Sequence, residues 1–103
     1  MKGFQQMMKQ AQEMQAKVLR VQKEVESQTV EAEAGGGMVK VVANGKQRIV
    51  EIRIDPEVVN PDDIEMLQDL VTAAVNKSLE SAQEMIAQAI GKVTGNLKIP
   101  GLP

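Results

Sequence analysis

The chain has 103 residues, with 12 Lys and Arg against 14 Asp and Glu, no Cys, His, Trp or Tyr, one Phe and seven Met. That length suits one domain, and the missing Cys and His remove disulfides, thiolate nucleophiles, the usual zinc, copper and haem ligand sets and most familiar catalytic triads. No run approaches the ~18 apolar residues of a membrane span, and Met1-Lys2-Gly3-Phe4-Gln5-Gln6 lacks the apolar core of a secretory signal, so a soluble, cytoplasmic protein is expected.

The net charge of −2 hides segregation along the chain. Residues 1–23 carry Lys2, Lys9, Lys17, Arg20 and Lys23 against Glu13 alone. Residues 24–34 carry only acids, and residues 40–53 turn basic again through Lys40, Lys46, Arg48 and Arg53 against Glu51. From Asp55 to Glu84 eight acids face only Lys77.

The first element in chain order is a helix over residues 4–28. With Phe4 at heptad position a, the a sites are Phe4, Ala11, Val18 and Val25, and the d sites are Met7, Met14, Val21 and Gln28. No Pro precedes Pro56 and no Gly falls between Gly3 and Gly35, so propensity agrees with the period. Such a helix extends about 37 Å, more than a ~100-residue globule needs, so it packs along a partner or projects. Lys2, Lys9 and Lys23 fall at position f, opposite the seam, with Arg20 at the neighbouring c position. This cationic face is either a solvated outer surface or a row of phosphate contacts, since cations a heptad apart lie roughly 10 Å apart along the axis.

After Ser27 the period becomes two. Thr29, Glu31 and Glu33 alternate with Val30, Ala32 and Ala34 as a first strand, which Gly35-Gly36-Gly37 ends in a turn rather than a phosphate loop. Met38–Ala43 forms a second strand, with Lys40 and Val42 sharing Met38's face. Asn44-Gly45 predicts a two-residue type I′ turn into a third strand over residues 46–54, where Val50, Ile52 and Ile54 face inward and Glu51 and Arg53 outward. Lys46, Arg48 and Arg53 either extend a basic patch or are solvated strand residues.

Asn60-Pro61-Asp62-Asp63 predicts a helix start with Asn60 as cap and Pro61 first inside. The acids there suit the positive dipole end better than a magnesium site, because no nucleotide motif accompanies them. Ile64, Leu67, Val71, Ala74, Ala82, Ile86, Ala89 and Val93 form a wide apolar stripe, with Asn76 expected within it as a packing or register residue. Gly95 ends the helix, so residues 1–95 read as one domain and residues 96–103 as an irregular tail, given Pro100, Gly101 and Pro103. One Phe gives little large-side-chain burial, which favours a homodimer.

The strings Met8-Lys9-Gln10-Ala11-Gln12-Glu13-Met14-Gln15-Ala16-Lys17, Gly37-Met38-Val39-Lys40-Val41, Asn44-Gly45, Ile54-Asp55-Pro56, Glu65-Met66-Leu67-Gln68-Asp69-Leu70-Val71 and Ala73-Ala74-Val75-Asn76 stand here in order. Together they resemble the YbaB/EbfC family of bacterial nucleoid-associated proteins over nearly the whole chain. Where the family commonly has Ala, two places after that Asn, this chain has Ser78. The resemblance implies an α+β fold of order α-β-β-β-α, packed as a homodimer whose helical arms form tweezers for duplex DNA with little sequence preference. It also implies a place in the nucleoid and a part in gene regulation. Lys9, Lys17 and Lys40 lie in the matched strings, whereas Lys2, Arg20 and Lys23 rest on the helix-face argument.

A second reading is a dimeric adaptor that holds protein partners through the Met-rich seam and the tail Ile99-Pro100-Gly101-Leu102-Pro103. No nucleophile and base pair, cofactor motif, metal site or small-molecule site is expected, nor a membrane partner, and the chain does not read as an enzyme.

Overall fold

The computed structural model of the protein describes residues 2–95, with Lys2 described by its backbone only. The order is α1 (Lys2–Val25), β1 (Thr29–Ala34), β2 (Val39–Asn44), β3 (Ile49–Ile54), a single 3-10 turn (Pro56–Val58) and α2 (Ile64–Thr94). This is the expected α-β-β-β-α sequence of elements. The tail, residues 96–103, lies outside the described residues.

Helix α1 stops three residues before the expected end. The Ser27 hydroxyl donates to the Glu24 carbonyl at 3.1 Å, and the Gln28 N–H donates to Val25 rather than to Glu24. Side-chain competition of this sort unwinds a last turn. Gln28 therefore lies outside the seam, and its carbonyl accepts the Gly45 N–H at 3.0 Å.

The sheet is antiparallel with order β1-β2-β3, so β2 is central. Thr29 faces Asn44 and Ala34 faces Val39 across β1 and β2, while Val39 faces Ile54 and Val41 faces Ile52 across β2 and β3. Directly paired residues share a face. Val39, Val41, Ala43 and Ala32 accordingly lie buried under α2, and Glu31, Glu33, Lys40, Glu51 and Arg53 line the opposite, solvated face. Gly35, Gly36 and Gly37 all have positive φ, which explains why the β1–β2 turn is built of Gly. Met38 sits in that turn and packs against the core, so it does not share the solvated face of Lys40 and Val42.

The second hairpin differs from the expected two-residue I′ turn. Its loop is Gly45-Lys46-Gln47, closed by Gln47 N–H to the Asn44 carbonyl at 2.9 Å and Asn44 N–H to the Arg48 carbonyl at 3.0 Å. The positive φ falls on Gln47, not on Asn44 or Gly45. The Asn44 side-chain oxygen accepts from both Lys46 and Arg48, which fixes the turn from inside. Gly45 is needed for another reason: a Cβ there would collide with the Val25 carbonyl at the end of α1. A register shift beyond Val42 leaves Val50 as the extra residue, and β3 begins only at Ile49.

Helix α2 starts later than Asn60 suggests. Asn60 holds a turn through its side-chain oxygen and the Asp62 N–H, and Asp63 is the cap, accepting from the Met66 N–H at 3.2 Å. Pro61 precedes the helix instead of opening it. Ala74, Ser78 and Ala82 are the fully buried stripe of α2, small residues that let the helix lie close on the sheet. The Ser78 hydroxyl is satisfied by the Val75 carbonyl at 2.8 Å. Asn76 lies on the exposed side, so it does not interrupt the buried stripe. The core joins Val39, Val41, Val58 and Ala74 with flanking Leu67, Leu70, Val71 and Val75.

Candidate nucleic-acid interface

The molecule measures 74 × 27 × 16 Å, with a radius of gyration of 20.1 Å. A compact chain of this length has about 13 Å. The elongation follows from the order of contacts. The start of α2 lies at the Gly35 end of the sheet, where Leu70 meets Gly35, whereas α1 enters at the opposite end, where Gly45 meets Val25. Beyond the sheet α2 runs alongside α1, with Val21, Val25 and Gln28 lining a groove with Met85, Ala89 and Val93. The expectation that α1 either packs or projects is therefore met in both ways: its C-terminal half packs and its N-terminal half projects as an arm.

Lys9, Lys17, Arg20 and Lys23 stand exposed along this helix. Val18, Val21 and Val25 turn towards α2, so the f positions of Lys9 and Lys23 point away from it. Those two lie about 21 Å apart along the axis, roughly the rise of six base pairs. Arg20 has Glu24 one turn on at 3.9 Å, a solvated pair that leaves its guanidinium open to other partners. Lys2 begins the helix, but its side chain is outside the described residues. Lys46 sits in the hairpin loop whose Gly45 packs on the end of α1 and Arg48 directly follows that loop, so both exposed side chains stand at the base of the same arm.

Lys40 and Arg53 belong elsewhere. They face each other across β2 and β3 on the solvated side of the sheet, with Glu33 opposite Lys40 on β1 and Glu31 and Glu51 in the next row. The Arg53 Nε–H donates to the Glu51 carboxylate at 3.0 Å, a bond that raises the guanidinium pKa, with a weaker contribution from Glu31. This face is a mixed ladder of charges, not a basic patch. The sequence showed the cations but not which of them had acids across a strand.

Glu13 and Glu24 lie on α1 and Glu26 just after it, but the largest group of acids is separated from the arm by length. Asp55, Glu57, Asp62, Asp63, Glu65 and Asp69 gather around the start of α2. From Asp63 to Val93, which lies level with Val21, the helix rises about 45 Å. The Debye length at physiological salt is about 8 Å, so those acids scarcely reduce the potential at the arm. Glu80 and Glu84 are nearer, and Lys77 and Lys92 accompany them on α2. A sequence pI near 5.1 is thus compatible with one cationic end.

Sequence reasoning missed an apolar surface on β3. Ile52 and Ile54 share the face that α2 covers on β1 and β2, yet they remain 43% and 40% exposed because α2 lies over the other two strands. Val50, Val59, Ile64 and Met66 are exposed as well. The alternation in β3 was visible; where α2 would lie was not.

The chain is thus an elongated α+β protein with a mainly cationic helix at one end and a cluster of six acids at the other. Residues 1–97 match the YbaB/EbfC DNA-binding family, and the chain belongs to that family. It is 60% identical over 96 residues to a nucleoid-associated protein of Pelotomaculum thermopropionicum, covering 93% of this chain and 91% of that one. A nucleoid-associated protein of Thermoanaerobacter pseudethanolicus is 57% identical, covering 93% of this chain and 86% of the relative. An uncharacterized protein of Helicobacter pylori, known from its crystal structure, shares the fold at a TM-score of 0.63 and 23% identity, over 76% of this chain and 90% of that one.

Proposed function

We propose that this protein is a non-catalytic, nucleoid-associated protein of the bacterial cytoplasm that binds duplex DNA through phosphate contacts, with little preference for sequence. The observation that carries this reading is the segregation of charge by length: Lys9, Lys17, Arg20 and Lys23 run exposed along α1 from its projecting half into its packed half, and six acids gather around the start of α2. Long flexible cations on a solvated helix suit phosphate oxygens, contacts that carry no sequence information. Lys46 and Arg48 extend the contact at the base of the arm, with Lys2 at its tip. Lys40 and Arg53 take a minor part, since acids already face them.

Residues 1–95 act as one domain, and two copies pair through β3. That strand is a sheet edge with unpaired backbone groups, and Val50, Ile52 and Ile54 beside it are exposed apolar side chains. Pairing there buries them and gives each dimer two cationic arms. No helix among the described residues is long and apolar enough to cross a membrane, which agrees with a nucleoid location.

The test is fluorescence anisotropy of a labelled ~30-base-pair duplex titrated across a salt series, with wild type and a Lys9→Glu/Lys17→Glu/Lys23→Glu variant of verified oligomeric state. Counterion release predicts a steep negative slope of log affinity against log salt, shallower in the variant. No binding to several unrelated duplexes at low salt sinks the reading and leaves an adaptor, for which the exposed Phe4, Met7 and Met8 are the supporting feature.

A further inference from the structure

The apolar seam of α1 is covered along only part of its length. Val21 and Val25 line a groove with Met85, Ala89 and Val93 of α2, but Phe4, Met7 and Met8 are 65%, 70% and 48% exposed, Ala11 is exposed and Met14 is half-buried. Phe4, Met7, Ala11 and Met14 occupy successive a and d positions, the pattern of a helix face that packs against another helix. Residues 4–14 of this face span about 15 Å of axis, close to three turns.

Charge selects the occupant. The edges beside the seam are almost uncharged: Met8 and Gln15 on one side, Gly3 and Gln10 on the other, with Lys17 at the margin as the one cation. Lys9 and Lys23 lie at f, opposite the seam, so two seams can meet without bringing those cations together. Across a helix pair they stand roughly 20 Å apart, beyond the ~8 Å Debye length. A lipid surface fits less well, because it attracts cations beside an apolar face and these two lie behind it. The position of α2 then sets the direction. It occupies the seam at Val21 and Val25, so two arms running the same way would bring both α2 helices to one level. Arms running opposite ways overlap only where the seam is open, and each tip stops short of the other copy's α2.

We propose that two copies of this chain pair antiparallel through the projecting half of α1, with Phe4 of each against Met14 of the other and Met7 of each against Ala11 of the other. This register sets large residues against small at the centre and a thioether against the chain's one aromatic ring at both ends. A contact of three turns falls well below the ~1,200 Å² of a firm protein interface, so the pair is weak and forms as concentration rises. The seam lies on the arm and the β3 edge on the sheet, so pairing through both links more than two copies. Lys9 and Lys23 stay outward on both sides of the paired arms and offer phosphate two faces. That use rests on the DNA-binding reading; the pairing does not.

The absence of Cys lets single cysteines report the pairing on the full chain. Under mild oxidation, Met7→Cys chains mixed with Ala11→Cys chains should form the mixed disulfide about tenfold faster than Ala16→Cys chains join each other, since the bond needs Cα atoms about 4.4–6.8 Å apart and Ala16 lies at f. A mixed disulfide no faster than that control overturns the proposal. So does faster closing of Met7→Cys or Ala11→Cys with itself, the mark of a parallel pair. Independently, concentrating the protein about a hundredfold should slow amide exchange at residues 4–14 about fivefold, and Met7→Asp, at an exposed position, should abolish that slowing while the circular-dichroism helix signal persists. Exchange indifferent to concentration overturns the proposal. Neither readout involves DNA, so failure here leaves the DNA-binding reading standing.

Discussion

At the sheet, Val39, Val41 and Ala43 are sealed beneath α2, whereas at the tip of α1 Phe4 and Met7 stand in solvent. Both groups repeat with the regularity of a core: the first at the strand period, the second at the heptad period. What separates them is the reach of α2. Its first half covers β1 and β2, its second half covers the C-terminal part of α1, and it ends before the arm does. The sheet end has a packed core, and the arm has charge and length. This extension holds the tip of the arm tens of ångströms from the acids around the start of α2.

Substitutions can break this contrast at either end. The largest effect is expected at the joint. Gly45→Ala places a methyl group against the Val25 carbonyl, backbone against backbone, and should cost about 3 kcal/mol or more in urea unfolding. If stability is unchanged, the end of α1 does not sit on the hairpin as described. Next in size is the arm itself: reversing Lys9, Lys17 and Lys23 should weaken duplex binding about 100-fold at low salt while the unfolding midpoint barely moves. An equal loss of stability and binding would mean these residues serve the fold.

Inside the core, Val41→Ala should destabilise by about 2 kcal/mol with little change in affinity for DNA after correction for the folded fraction. Asp63→Ala removes the cap on α2 and is expected to cost about 1 kcal/mol, checked by the same denaturant titration. The smallest effect belongs to the sheet's charged face. Arg53→Gln should change duplex affinity less than about twofold, because Glu51 already engages the guanidinium in solvent. A loss comparable to that of the arm variant would move the interface onto the sheet.

The two hairpin positions show where sequence reading succeeds and where it stops. Asn44-Gly45 correctly announced a tight reversal, since few other residues suit such turns. It could not show that Asn44 would hold the loop with its side chain, that the positive φ would fall on Gln47, or that Gly45 was required by the Val25 carbonyl of another element. The start of α2 follows the same logic. Asn60, Pro61, Asp62 and Asp63 all suit a helix entry, and only the backbone path chose Asp63 as the cap. Of the nine cations singled out, five lie along α1 as the heptad predicted and Arg53 pairs with Glu51, its neighbour two residues back on the same face, while the acid beside Lys40 is a cross-strand neighbour that no local pattern records.

The sequence by itself determined the order of elements, a long first helix, the alternation of the strands up to the bulge at Val50 and the uneven distribution of charge along the chain. These follow from periodicity, propensity and composition, properties a residue expresses among its near neighbours in the chain. Only the tertiary structure decided which apolar residues were covered, so that Val41 is buried and Ile52, its partner across the strands, is not. It alone set the acids around the start of α2 at one end of a 74 Å molecule and the tip of α1 at the other. Burial and screening depend on distances in space, and those are fixed by where α2 lies, a choice made by contacts between elements far apart in the chain.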